Sequence, residues 1–266
     1  MSNLLKRIIA GITLGALIII SLIIDNPILL FIINLIWIAL ATNEFLRILS
    51  LKQIFFNRFF IIGLNLAFPT IIYFRGSQAL YLMLPACVLL YALFKREQYY
   101  LIVPYGVFIL FYLGFLPSHL LFLKFWIKEQ NQSSFVVLFP VLFTWINDTA
   151  AYGIGSAIGR HKLAVKISPN KTIEGFVGSI IISVIFSIFY LKRFSPNISL
   201  ILVIIIGIIL SVGAQIGDLV ESGFKREVGL KDSSQALPGH GGFLDRIDSL
   251  LFTIPIFYYF LIYFIV

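Results

Sequence analysis

Of the 266 residues, 60% are hydrophobic and only 12% are charged, where a soluble domain carries roughly 45–50% apolar and about 25% charged residues. With a mean hydropathy of +1.01, this composition excludes a soluble globular enzyme, a disordered protein and a nucleic-acid-binding domain, whose surfaces need far more charge. The net charge of +8 then reads as loops facing anionic lipid, and the one cysteine, Cys87, lies in an apolar run and forms no intrachain disulfide.

A hydrocarbon core about 30 Å thick takes roughly 20 helical residues to cross. Apolar runs of that order fall near residues 8–24, 27–49, 59–74, 78–94, 100–121, 135–158, 173–190, 198–219 and 248–266. The reading is an all-α, polytopic integral membrane protein of about nine transmembrane helices. Lys6-Arg7 before the first run would suit a removable signal peptide, but the run ends in Leu22-Ile23-Ile24-Asp25 without a small-residue cleavage site, so a retained anchor is expected. With the N-terminus cytoplasmic, fifteen of the twenty Lys and Arg residues fall on inner segments. Only Arg75, Lys124, Lys128, Lys192 and Arg193 fall outside. An eight-span arrangement would move the C-terminus inside without separating the two most basic loops. Residues 1–266 are taken as one membrane domain, with 1–134 as packing or dimer-forming spans and 135–266 as the catalytic half. That half holds two polar inner loops, 159–172 and 220–247.

Half of the twelve acids, Asp218, Glu221, Glu227, Asp232, Asp245 and Asp248, lie within 31 residues, interleaved with Lys225, Arg226, Lys231, His240 and Arg246. Acids contribute little to topology, so this density suits a site that binds a cation and a polyanion together. The alternative is a solvated, salt-bridged loop. Asp245 and Asp248 are three apart at the expected start of the last helix, which puts both carboxylates on one helical face. With Asp218 they can offer oxygen ligands to Mg²⁺. A single acid there would also serve the helix dipole. Gly239-His240-Gly241-Gly242 precedes that helix start, where backbone N–H groups form an anion site. Asp148 is an acid inside an apolar span and hence a functional candidate, with a hydrogen-bonded structural acid as the other reading. Glu44 sits near the inner end of the second span, where it is expected simply to reach water.

At this point a resemblance becomes specific. Ser222-Gly223-Phe224-Lys225-Arg226, Lys231-Asp232, Ser234 and Leu237-Pro238-Gly239-His240-Gly241-Gly242-Phe243, followed by Asp245-Arg246-Ile247-Asp248, resemble the signature of CDP-diacylglycerol synthases (phosphatidate cytidylyltransferases). A second block is similar to that family's other characteristic stretch. It runs Trp145-Ile146-Asn147-Asp148, Ala151-Tyr152, Gly159-Arg160-His161-Lys162-Leu163 and Ser168-Pro169-Asn170-Lys171-Thr172-Ile173-Glu174-Gly175. Ile173 stands where an aromatic is expected and Asn170 where a second Lys is common. The two blocks cover the C-terminal half; the N-terminal spans match only in size and hydropathy.

The resemblance implies CTP and phosphatidic acid as substrates, with CDP-diacylglycerol and pyrophosphate as products. It implies Mg²⁺ held by Asp218, Asp245 and Asp248, and allows a second cation. Lys225, Arg226, Lys231, His240 and Arg246 would share the triphosphate and the lipid phosphate. Lys166, Ser168 and Lys171 would close over the same groups, and Asp148, Ser222, Gly241 and Gly242 would line the site. It further implies a multi-pass protein of the cell inner (plasma) membrane, with its active site on the cytoplasmic side and open sideways to lipid. A homodimer is left open.

Other motifs are set aside. Gly153-Ile154-Gly155 through Gly159 looks like a dinucleotide fingerprint but lies in a membrane helix, where small residues serve close helix packing. No P-loop is present, and His119, His161 and His240 lack zinc-ligand spacing. The 27 Phe and 12 Tyr read as lipid-facing or interfacial. A CDP-alcohol phosphotransferase would need an Asp-Gly-x2-Ala-Arg motif that is absent. A polyprenol kinase fits the run from Pro238 to Asp248 less well. A transporter would place its acids at the bilayer midplane rather than at one face.

Overall fold

The computed structural model describes residues 19–24, 26–77, 79–95, 98–234 and 241–265. Where a bilayer supplies no water to backbone N–H and C=O groups, apolar segments must satisfy them internally, and here they do so as helices. In chain order these are α1 (Pro27–Leu51), α2 (Arg58–Tyr73), α3 (Ala79–Lys95), α4 (Tyr99–Glu129), α5 (Phe139–Ile158), α6 (Ile173–Phe194), α7 (Leu200–Glu227), α8 (Leu244–Ile247) and α9 (Leu250–Phe264). A π-helical stretch, Leu110–Phe115, interrupts α4, and a 3-10 turn, Ser134–Leu138, leads into α5. Six segments are long and apolar enough to cross a membrane, while α2 and α3 are shorter apolar helices. Eight of the expected spans therefore meet a described helix. The first lies outside the described residues except at its end, where 19–23 are helical.

Local chemistry sets several boundaries. Asn26 caps α1 by accepting from the N–H groups of Ile28 and Leu29 at 3.0 and 3.2 Å, with Pro27 in the first turn. Asn57 caps α2 through the Phe60 N–H, and Thr172 caps α6 through the Gly175 N–H. Two boundaries depart from expectation. α7 continues to Glu227 rather than ending near 219, because Ser222 and Lys225 lie one turn beyond Asp218 and Glu221 and pair with them. The polar segment expected as loop therefore begins as helix. The segment 159–172 likewise folds into a short antiparallel ribbon, β1 (Lys162–Ala164) against β2 (Ser168–Thr172), with Lys162 opposite Thr172 and Ala164 opposite Ser168.

The chain divides into two compact units. One comprises residues 1–21, 26–122 and 228–246. In it α2 packs against α1 and against the π-helical part of α4, and α3 packs against the first part of α4. Gly114 lets the π-helical stretch approach α2, since an added Cβ would lie 2.6 Å from Phe68 and 2.7 Å from Asn65. Asn65 donates to Thr42 Oγ1 at 2.8 Å, and Asn34 donates to the Pro117 carbonyl at 3.0 Å.

The other unit comprises residues 22–25, 123–227 and 247–266. It is a bundle in which α6 lies between α5 and α7, and α9 packs on α7 and α5. In its interior Asn147 Oδ1 accepts from Ser183 and Ser211 at 3.1 and 2.5 Å, and Thr144 meets Thr253 at 3.1 Å. Lys124, assigned by the charge count to an outer loop, is buried and donates to the Leu22 carbonyl at 3.1 Å.

Backbones meet closely where α5 faces α6. A Cβ on Gly175 would lie 2.6 Å from the Ala151 carbonyl and 3.0 Å from Gly155 Cα, while one on Gly178 would strike Ile154. The false dinucleotide motif is thus partly a packing seam, as small-residue stripes in membranes are. Gly153, whose Cβ would meet nothing, faces away from it. Gly175→Val is expected to destabilise the bundle by about 1–3 kcal/mol, the usual cost of overpacking, whereas Gly153→Ala should be neutral or slightly stabilising. Thermal unfolding in detergent checks both; equal behaviour of the two variants would refute the seam.

Candidate active site

In the bundle of α5, α6, α7 and α9, acidic and basic side chains gather around α7. Lys171, at the end of β2, reaches Asp218 Oδ2 at 2.7 Å and donates to Gln215 Oε1 at 2.8 Å. Gln215 and Asp218 are three apart and so share one face of α7; Ser222, one turn further, donates to Asp218 Oδ1 at 3.1 Å. Asp148 on α5 interacts electrostatically with Asp218 and Lys171, and Asp248 does so with Asp218, Asp148 and Lys225. Asp148, the functional candidate of its apolar span, is exposed on its helix. Asp248 Oδ1 accepts from the Ser249 N–H at 2.7 Å.

The basic residues divide by what they touch. Lys225 is buried and ion-paired with the buried Glu221. Arg226 is exposed, and its Nε donates to the Ile167 carbonyl at 3.1 Å, which ties the end of α7 to the hairpin turn carrying Lys166. Ser168 opens β2. The base of the hairpin is held by Glu174, which accepts from the N–H groups of Arg160 and His161 and contacts His161 Nδ1 at 2.6 Å.

A second constellation lies in the other unit, in the segment 228–246. Its centre is Glu44, buried on α1. The Glu44 carboxylate accepts from Ser233 Oγ at 2.9 Å, Ser234 Oγ at 2.5 Å, the Phe243 N–H at 2.9 Å and the Leu244 N–H at 2.8 Å. Asp245 Oδ2 accepts from the N–H groups of Gly242 and Ser233 at 2.8 and 3.0 Å, and Ser233 Oγ lies 3.1 Å from it. One hydroxyl is thus shared between two carboxylates. Gly241 has φ +80°, and a Cβ on Gly242 would overlap Ser233 Oγ. Both glycines are required by this clamp, and the Gly242 N–H is already donated to Asp245. Lys231 and Arg246 are exposed, and His240 lies outside the described residues.

Two expectations need correction. Glu44 does not reach water: it is buried and fully engaged as the anchor of the 233–244 segment. An acid within a span was itself the signal for such a role. Asp245 and Asp248 do not sit on one continuous helical face, because α8 ends at Ile247 and Asp248 falls in the turn before α9. Gln215 and Ser233 were missed, since nothing in their spacing distinguishes them from ordinary helix and loop polar residues; Glu221 was read only as a member of the acid cluster and Glu174 only as part of the family block, without their partners.

Magnesium commonly takes one or two carboxylates together with substrate phosphates and water. Among the described residues no three His, Cys, Asp or Glu side chains are assembled as a complete ligand set. The hard oxygen donors around α7 nevertheless fit such an ion. Four carboxylates (Asp148, Asp218, Glu221 and Asp248) are faced by two lysines, Lys171 and Lys225.

The sequence profile of the cytidylyltransferase family matches residues 5–264. The chain belongs to that family. It is 50% identical over 129 residues to a phosphatidate cytidylyltransferase of Staphylococcus saprophyticus, a stretch that is 48% of this chain and 50% of the relative. Similar matches link it to phosphatidate cytidylyltransferases of Staphylococcus haemolyticus, 52% identical over 120 residues (45% of this chain, 46% of the relative), and Staphylococcus aureus, 45% identical over 132 residues (50% and 51%). The chain thus spans about half the length of the curated relatives it matches.

Glu44→Gln leaves one acceptor oxygen and turns an amide N–H₂ toward the donors of the 233–244 segment. Leaving buried donors unsatisfied costs about 1–3 kcal/mol, so faster hydrogen exchange at Phe243 and Leu244 is expected, with a lower unfolding midpoint. Unchanged exchange at those two amides would refute the clamp.

Proposed function

We propose that this member of the cytidylyltransferase family transfers CMP from CTP to phosphatidic acid, giving CDP-diacylglycerol and pyrophosphate. The observation that carries the reading is the Lys171–Asp218 pair set among Asp148, Asp248, Gln215 and Ser222. It combines carboxylates suited to a divalent cation with a lysine suited to phosphate, in a chain whose relatives are named phosphatidate cytidylyltransferases.

In the proposed reaction an oxygen of the lipid phosphate attacks the α-phosphorus of CTP, and the bond between that phosphorus and the α–β bridging oxygen breaks to release pyrophosphate. The lipid phosphate is already ionised at neutral pH, so the protein needs no general base. Its task is positioning and charge neutralisation. Bound Mg²⁺, for which Asp218 and Asp248 are the proposed ligands, would neutralise the nucleotide phosphates and the departing pyrophosphate. Lys171, held toward Asp218 by Gln215, directs its ammonium at the same phosphates, and Lys166, Ser168 and Arg226 add donors from the hairpin and the end of α7. Lys225 acts through Glu221 as a structural pair rather than as a phosphate ligand. Asp245, with Oδ2 engaged by its own loop, serves to keep the Gly241–Leu244 turn formed. The resemblance also assigns Lys231, His240 and Arg246 to phosphate binding.

The test is purified protein with labelled CTP, phosphatidic acid and Mg²⁺. Labelled CDP-lipid is expected from the parent, abolished by chelation and restored by added Mg²⁺. Asp218→Asn and Asp248→Asn should each lose about a hundredfold or more in kcat, the scale of removing one preorganised charge from a transition state. No CDP-lipid from the parent, or full activity in both variants, would overturn the proposal.

We place the site on the cytoplasmic face of a plasma membrane, on the strength of the Lys/Arg bias. In a Cys87→Ser background, a cysteine at Val165 in the hairpin turn should react with an impermeant maleimide in inside-out vesicles only. Labelling from the outside would reverse the orientation.

A further inference from the structure

Gly223 lies inside α7 with ordinary helical backbone, and a Cβ added there would meet nothing within 4 Å. Glycine weakens a helix interior relative to alanine, and neither close packing nor a positive φ explains it at this position. What its missing side chain leaves free is a groove. An open cavity of about 990 Å³ runs between α7 and the hairpin turn, within the size range of ligand sites. Ile216, Leu219, Val220 and Phe224 form its apolar wall, with Gly223 among them. Their spacing, together with Glu227, traces one face of α7. At the far end stand Lys166 from the hairpin turn and Arg226, with Glu227 beside them. From Ile216 to Arg226 the helix rises about 15 Å, so the groove passes from aliphatic to net cationic along its length.

That gradient matches an anionic amphiphile lying along the helix. Gln215 and Asp218, which contact Lys171, and Ser222, which donates to Asp218, form the neighbouring stripe of α7, so a phosphate at the cationic end lies beside the candidate catalytic cluster. We infer that the groove holds an acyl chain of the acceptor, phosphatidate, with its phosphate directed to Lys166 and Arg226. Two cations against one carboxylate favour a phosphomonoester dianion over the zwitterionic headgroups of bulk phospholipid. This rests on the cytidylyltransferase reading and deepens it by assigning the lipid's place.

The test fills the groove from its floor. Gly223→Ala, Gly223→Leu and Gly223→Trp should raise the KM for dioleoyl phosphatidate progressively, reaching about tenfold or more for Trp, since displacing even two buried methylenes is worth that factor. The KM for CTP should stay unchanged, and dihexanoyl phosphatidate should be barely affected. An unchanged KM for the long-chain lipid, an equal rise for both lipids, or a parallel rise for CTP would overturn the groove. A parent protein that makes no CDP-lipid would refute the reaction instead. The groove is then judged on unmodified protein without CTP, using phosphatidate bearing a photoreactive diazirine in its acyl chain. Adducts are expected on residues 216–224, competed by excess phosphatidate and not by phosphatidylcholine. Adducts spread evenly over the lipid-facing helices would overturn it.

Discussion

Every ionised side chain in this chain must be settled inside or beside a slab about 30 Å thick that offers it no water, and the positions of the helices' polar groups follow from that constraint. Glu44 is buried only because two hydroxyls and two backbone N–H groups converge on it. Glu221 and Lys225 are buried as a pair one helical turn apart. Lys124 reaches a backbone carbonyl, and Asn147 gathers serines from two other helices. Removing one partner from such an arrangement costs far more than forming it contributes, so each pairing also dictates which segments must lie together.

The cluster around Asp218 differs in kind. Its carboxylates outnumber the lysines directed at them, and Asp148 is left exposed on its helix. Charge left uncompensated at the edge of an apolar bundle is costly, and a cation with a polyphosphate would balance it. The same group of residues is thereby unfavourable for the fold by itself and favourable for the proposed chemistry, as catalytic sites commonly are.

The packing of small residues delivers Lys171 to that cluster. Gly155 and Gly175 let α5 and α6 approach until Thr172 is wedged between them, and Thr172 both caps α6 and ends β2. Lys171 is the residue immediately before it. Glu174, in the first turn of the helix, holds the other strand at the same base of the ribbon through the N–H groups of Arg160 and His161, while Arg226 ties the turn end through the Ile167 carbonyl. A lysine on a free loop would pay conformational entropy for each contact; this one stands on a ribbon braced at both ends.

The sequence alone was enough to place the chain in a membrane, to locate most of its helices and to single out the two segments that carry charge, because apolar run length and composition are local properties. The resemblance, too, was readable from local blocks such as Gly241-Gly242-Phe243 and Ser168-Pro169-Asn170-Lys171. Helix ends were less legible: α7 extends through Glu227 because of i,i+4 pairs among polar residues, and α8 stops before Asp248, so an expected shared face does not exist. What only tertiary structure decided is which partner each polar residue finds. Glu44 and Ser233 are separated by 189 residues, and Lys171 and Gln215 by 44. Such pairings have no local signature, since they depend on backbones brought together elsewhere, by glycines at a helix seam and by the need to satisfy charge where water is absent.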